Sequence, residues 1–430
     1  MRRGVLLAAC LAMSSAGAEG LEFDAGADLR IREELMDNVP GLPNGGLMRD
    51  ARTKFRNHLR FRPRVWGELK GDAGWAGKWR VYTRLTDEFR WNVEPKNSAN
   101  EWPGEVIVDN LFLEGKDIFD GFMDLKVGRQ DLMGYCGLDH VFMDGTPGDG
   151  SRTVYTDMAA VKFHVDEDSS IDLFGLYNFD RDRDFRLGYD RTRTEGLAAR
   201  FPGRGPDQDD WGYGAIWNSK LAKWLPYQVF VVQKQMLHVG ELRNHTELAG
   251  VKLMPKWSET LSSTFEAMSE FNREWSGYAD IGWKAAGDGI RPYAKLGYHF
   301  MSGEWDPMWA RAVNDSEMFL YGSHNGVAWW TNMHYVKATA GLEFGAHHAL
   351  SGNCGPMFAA ERDRVGGGDG AFKGFLSQLR YDFPLWLADR NRGERFEMFG
   401  HVLAEFFNPG DYYETDKPAF FFRWQVELRF

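Results

Sequence analysis

FFFRWQVELRF, residues 420–430, decides how the rest of the chain is read. Taken every second residue, one series is Phe420, Phe422, Trp424, Val426, Leu428 and Phe430, wholly apolar. The other is Phe421, Arg423, Gln425, Glu427 and Arg429. Successive side chains of a strand point to opposite faces, so this segment separates an apolar medium from a polar one. A sheet on a protein core satisfies that pattern, and so does a strand between lipid and a wet lumen.

The same alternation recurs along the chain. Leu21, Phe23, Ala25, Ala27, Leu29 and Ile31 alternate with Glu22, Asp24, Gly26, Asp28, Arg30 and Arg32. Phe55, Leu59, Phe61, Val65 and Leu69 oppose Lys54, Arg56, His58, Arg60, Arg62, Arg64, Glu68 and Lys70. Period two held this long signals strands and not amphipathic helices. Similar runs continue to the last residue, close to 18 in all once doubtful joins are merged, among them 195–201, 246–254 and 372–383. Short turns such as Asp72-Ala73-Gly74 alternate with long polar connections such as 37–50, 134–152, 180–192 and 305–326. Short turns on one rim and long loops on the other are the asymmetry of an outer-membrane barrel. The pattern predicts an all-β fold: one transmembrane antiparallel β-barrel of about 18 strands over residues 19–430, with short periplasmic turns and long extracellular loops.

Composition agrees. The chain has 430 residues, 43% hydrophobic and 15% aromatic, with 49 glycines. Aromatic surplus without apolar bulk suits a barrel, which needs aromatic girdles but only half-greasy strands. Met1-Arg2-Arg3, the apolar run Val5–Met13 and Ala16-Gly17-Ala18 read as a secretory leader over residues 1–18. The next apolar runs fall short of the ~20 residues a spanning helix requires. The terminal Phe430 resembles the signal that hands such barrels to the outer-membrane assembly machinery. With Cys10 in the leader, Cys136 and Cys354 make no disulfide framework and are assigned no role.

The net charge of −11 argues against a nucleic-acid partner. Against it stands a segregated basic stretch: residues 51–91 hold eleven Lys and Arg and four Asp and Glu, a local net of +7. With apolar positions facing lipid, the arginines face the lumen. The candidate lumen residues are Arg30, Arg32, Arg56, Arg60, Arg62, Arg64, Arg80, Arg84, Arg90 and Arg423. Guanidinium is chosen here because its planar fork meets a carboxylate with two hydrogen bonds. The bland alternative is that these arginines pair with wall acids such as Asp24, Asp28, Glu88, Glu114 and Asp157, bracing the barrel.

Residues 125–141, LKVGRQDLMGYCGLDHV, followed by Ser151-Arg152-Thr153-Val154-Tyr155-Thr156-Asp157, resemble the central signature of the alginate-export outer-membrane protein family. Gly128, Arg129 and Gln130 match its strand end, and Glu88-Phe89-Arg90 fits as well; Met158 stands where the family tends to have Gly. The resemblance implies an 18-stranded monomer passing an anionic polysaccharide, with periplasmic secretion-complex proteins as partners, and it adds Arg129, Arg152 and Asp157 to the lumen set. A general or anion-selective porin for uptake is the alternative; an outer-membrane barrel enzyme and a soluble polysaccharide-binding protein or lyase are the rivals. Asp180, Asp182 and Asp184 imitate a calcium loop, but Phe185 replaces its turn glycine. His140, His347 and His348 lack a zinc-binding arrangement, so no metal and no cofactor is expected. The expectation is a passive conduit without covalent chemistry.

Overall fold

The structure is a computed structural model. It describes residues 19–38, 55–87, 89–94, 106–131, 135–142, 155–178, 209–238, 241–271, 273–303, 305, 308–309, 332–362, 368–389, 394–414 and 416–430. The expected leader, the strand at 195–201, the acidic run 180–184 and Arg152 lie outside them.

Eighteen antiparallel strands close into a barrel. They are β1 (Glu19–Asp37), β2 (Arg56–Asp72), β3 in two segments (Lys78–Thr86 and Phe89–Glu94), β4 (Ile107–Asp117), β5 (Met123–Asp131) and β6 (Tyr155–His164). β7 (Ser170–Asn178), β8 (Asp209–Ala222), β9 (Leu225–His238), β10 (Glu241–Leu253), β11 (Leu261–Glu270) and β12 (Trp275–Lys284) follow. β13 (Arg291–Met301), β14 (Met333–Phe344), β15 (His348–Phe358), β16 (Phe372–Trp386), β17 (Glu397–Pro409) and β18 (Ala419–Arg429) complete the ring. The two β3 segments lie end to end along β2, Arg64 facing Thr86 and Phe61 facing Phe89, so they count as one strand.

Every strand pairs with its neighbours in sequence, and β18 pairs with β1. At that seam Phe430 N–H donates to Ala27 O at 2.8 Å and Ala27 N–H returns the bond to Phe430 O at 3.3 Å. The pairing of β18 with β1 therefore closes the ring, and among the described residues no sheet edge is left to pair with another chain or to face lipid unsatisfied.

Burial is inverted relative to a soluble sheet. Val65, Leu173, Val231, Ile281, Leu296 and Leu379 are exposed, while Arg32, Arg62, Lys252, Glu266 and Arg423 are buried. Apolar side chains thus form the outer belt and charged ones the inside, as a lipid solvent demands. Aromatic pairs stand at the short-turn rim, Trp75 with Phe119 at 5.8 Å and Trp224 with Trp257 at 5.4 Å. Among the described residues no helix is long and apolar enough to cross a membrane. The all-β expectation and the strand count agree with this architecture.

Candidate functional site

The inner face of β18, β1, β2 and β3 carries an arginine wall. Cross-strand register sets Arg32 opposite Arg60, Arg30 opposite Arg62, and Asp28 opposite Arg64. On the other flank Glu34 faces Arg423 and Arg30 faces Glu427. Like charges directly opposite repel, so the wall is held by acids threaded through it. Glu34 is the keystone. One oxygen accepts from Arg423 Nη2 at 2.8 Å and Arg32 Nη1 at 3.3 Å. The other lies 2.6 Å from His58 Nε2 and 3.1 Å from Arg60 Nε.

Around this centre, Arg62 reaches Asp28 at 3.4 Å, Arg30 reaches Glu427 at 3.4 Å, and Arg32 Nε donates to Gln425 at 2.9 Å. Further along, Arg84 reaches Asp109 at 2.8 Å, and Arg80 binds Glu68 at 2.8 Å and Glu114 at 3.5 Å. Exposure grades across the wall. Arg32, Arg60, Arg62 and Arg423 are at most 3% exposed, whereas the Arg80 side chain is 34% exposed. The buried set fixes the wall, and the outer members meet the lumen water.

Arg30, Arg32, Arg60, Arg62, Arg64, Arg80, Arg84 and Arg423 thus share the inner face. Arg56 and Arg90 lie on β2 and β3, but their side chains are outside the described residues. Arg129 and Asp157 do not join the wall, which corrects their placement. Register carries Arg129 to Leu111, Thr83, Gly67 and Ala25 on one side, and to Asp157 and Tyr177 on the other. That row alternates with the lumen row Gln130, Thr156 and Met158, so both residues belong to the outer face.

The second part of the site was not legible in advance. Residues 135–142, from the connection between β5 and β6, lie inside the barrel against the wall opposite the arginines. Gln228 Nε2 donates to Cys136 O at 2.9 Å, and Lys252 Nζ donates to Gly137 O. His140 Nδ1 is 2.9 Å from Ser276 Oγ, and its Nε2 is 3.2 Å from His299 Nδ1. These partners come from β9, β10, β12 and β13. Leu138, Val141 and Phe142 are fully buried. Phe142 stacks on Trp309 at 5.4 Å and meets Phe174 edge-on at 5.2 Å.

Beneath and beside the segment lies a cluster that includes Met36, Met158, Met268, Met301, Met308, Met333 and Met357. Methionine suits an irregular seam between a loop and a curved wall because it is unbranched and polarizable. The available signal was Leu138, Val141 and Phe142 in an otherwise polar connection, since apolar loop residues need a place to bury. Cys136 sits in this segment and Cys354 on the outer face of β15, and both are free thiols.

Burial, helped by the Lys252 ammonium, lowers the His140 pKa from 6.5 to about 3. The docked segment therefore holds a neutral imidazole, and the undocked one an ordinary imidazole. A folded-state value depressed below the free value means docking is at full strength above pH 6.5 and weakens as pH falls toward 3. The loss is about 1.4 kcal/mol per pH unit in that window. Conductance is expected to rise reversibly between pH 6.5 and 4 in planar-bilayer recordings, and H140N to flatten the response. A wild-type conductance that stays constant over that window contradicts the docking role of His140.

No family model matches the chain, and no curated protein matches it. Among solved structures it is similar to the outer membrane protein OprD from Pseudomonas aeruginosa, at 9% identity and a TM-score of 0.57, covering 96% of this chain and 95% of that one. It is also similar to Pseudomonas aeruginosa OccK5 (OpdH), at 12% identity and a TM-score of 0.55, covering 94% and 98%. Pseudomonas aeruginosa OccK11 (OpdR) gives 12% identity and a TM-score of 0.55, covering 95% of each chain. The shared property is the fold, that of a bacterial outer-membrane barrel, which agrees with the apolar outer belt. The alginate-export resemblance finds no support among these matches.

Proposed function

We propose that the chain is an outer-membrane porin that admits small anionic solutes, with carboxylates the best-suited class. The observation that carries this reading is the arginine wall on the inner face of β18, β1, β2 and β3. Guanidinium groups in graded exposure offer a carboxylate a series of weak, wet, bidentate sites, along which it moves by exchange without being trapped. Nothing in this passage calls for covalent chemistry, a metal or a cofactor, and one barrel is sufficient for it.

The narrower reading, export of an alginate-like polyuronate with periplasmic secretion partners, uses the same wall. It is disfavoured by residues 135–142, whose contacts with four strands a threading polymer would have to displace along its whole passage. Small solutes need only pass beside the segment.

Reversal potential under a salt gradient tests the reading. Anion preference is expected for the purified barrel in a planar bilayer. The double variant R62Q/R64Q is expected to lower that preference severalfold, because it removes two lumen cations while Asp28, the partner of Arg62 at 3.4 Å, remains in place. Addition of polyuronate separates the two readings: weak, fast block fits a small-solute porin, and one-sided, long-lived occupancy fits polymer export. Cation preference in the unaltered protein overturns both.

A further inference from the structure

Arg129 sits on the outer face of the barrel, two residues before β5 ends at Asp131, and Asp157 sits two residues after β6 begins at Tyr155. Between those ends the chain supplies residues 135–142 to the lumen. The Arg129 side chain is 6% exposed. Its Nε donates to Asp157 Oδ1 at 3.1 Å, its Nη2 to Asp157 Oδ2 at 3.4 Å, and its Nη1 to Val108 O at 3.2 Å. One side chain thereby ties the outgoing strand β5, the returning strand β6 and the start of β4.

The backbone is shaped for it. Gly128 adopts φ +128°, and a Cβ there would collide with the Leu111 carbonyl oxygen. Only glycine takes that conformation without strain. On the lumen side of the same turn, Gln130 Nε2 donates to Met158 O at 3.3 Å. A charged group on the lipid side is costly unless paired, so the pair holds together and is slow to exchange partners.

We propose that Arg129 is a positioning residue, and that its clasp on Asp157 fixes the two strand ends from which the lumen segment departs and returns, seating residues 135–142 against the far wall. It acts through the segment and not on the permeant. The inference stands whether the permeant is a small solute or a polymer, because its readout is the segment itself.

Cys136 is a native reporter. It lies in the segment, and burial pushes its thiol up to about 12, so a docked thiol reacts slowly. In a C354S background, the rate of Cys136 modification by a charged methanethiosulfonate is measured in proteoliposomes, alongside single-channel conductance and reversal potential. R129Q and D157N are each expected to speed labelling by about tenfold or more, the effect of losing a charged hydrogen bond, and to raise conductance with the reversal potential unchanged. The reversed pair R129D/D157R is expected to restore slow labelling. D157N keeps the test open if R129Q fails to assemble. Unchanged labelling in D157N, or a shift of reversal potential with unchanged labelling in R129Q, overturns the proposal; the latter would make Arg129 an anion-contacting residue.

Discussion

Replacing Glu34 with alanine is expected to destabilise the barrel by about 3–5 kcal/mol, the cost of removing one partner from a buried ion pair. The carboxylate is fully buried and is shared by Arg32, Arg60, Arg423 and His58. Without it three guanidinium groups face one another inside the wall, at the seam where β18 closes on β1. Glu34 and Arg423 belong to opposite ends of the chain, so the damage falls on ring closure and not on a local turn. The measurement is the temperature at which the folded, heat-modifiable band is lost on a gel. A second readout links stability to function: millimolar acetate is expected to raise the midpoint of E34A more than that of the wild type, because a carboxylate from solution can replace the missing one. A midpoint equal to that of the wild type would show that the wall tolerates its own repulsion, and that Glu34 is not its keystone.

Truncating Phe142 is expected to open the lumen. The side chain is fully buried, stacked on Trp309 at 5.4 Å and set edge-on to Phe174 and Tyr135. F142A costs about 3–5 kcal/mol of packing. That is comparable to what the polar anchors from Gln228 and Lys252 contribute together, at about 1–3 kcal/mol each, so the loss removes a large share of what holds the segment. The triple variant L138A/V141A/F142A removes the apolar face altogether. Single-channel conductance is expected to rise severalfold in both, with the larger rise in the triple variant. Anion preference is expected to persist, because the arginine wall lies on the other side of the lumen. Conductance at the wild-type level would mean that the segment packs on the wall without narrowing the passage.

These two expectations depend on different kinds of information. The face on which a residue lies is a local property, written with period two. Phe420 to Phe430, Leu21 to Arg32 and Phe55 to Lys70 could be assigned to lipid or lumen without knowing any partner, and the inner face of β1, β2 and β18 agrees with that reading. Arg129 was assigned from the family resemblance instead, and the alternation around it already carried the correction. Met123, Leu125, Val127 and Arg129 form one series, and Asp124, Lys126, Gly128 and Gln130 the other. Asp157 likewise falls in series with Ala159, Val161 and Phe163.

By itself, then, the sequence determined the barrel, the approximate strand number, the apolar belt and the basic character of the first strands. The tertiary structure alone decided which acids meet those arginines, and where the connection after β5 goes. Glu34 and Arg423 are 389 positions apart, and His140 and His299 are 159 apart. The physical reason is one of range: pleat and alternation are set by neighbouring residues, whereas ion pairing and the burial of Leu138, Val141 and Phe142 exist only once the sheet has closed on itself and made an interior to receive them.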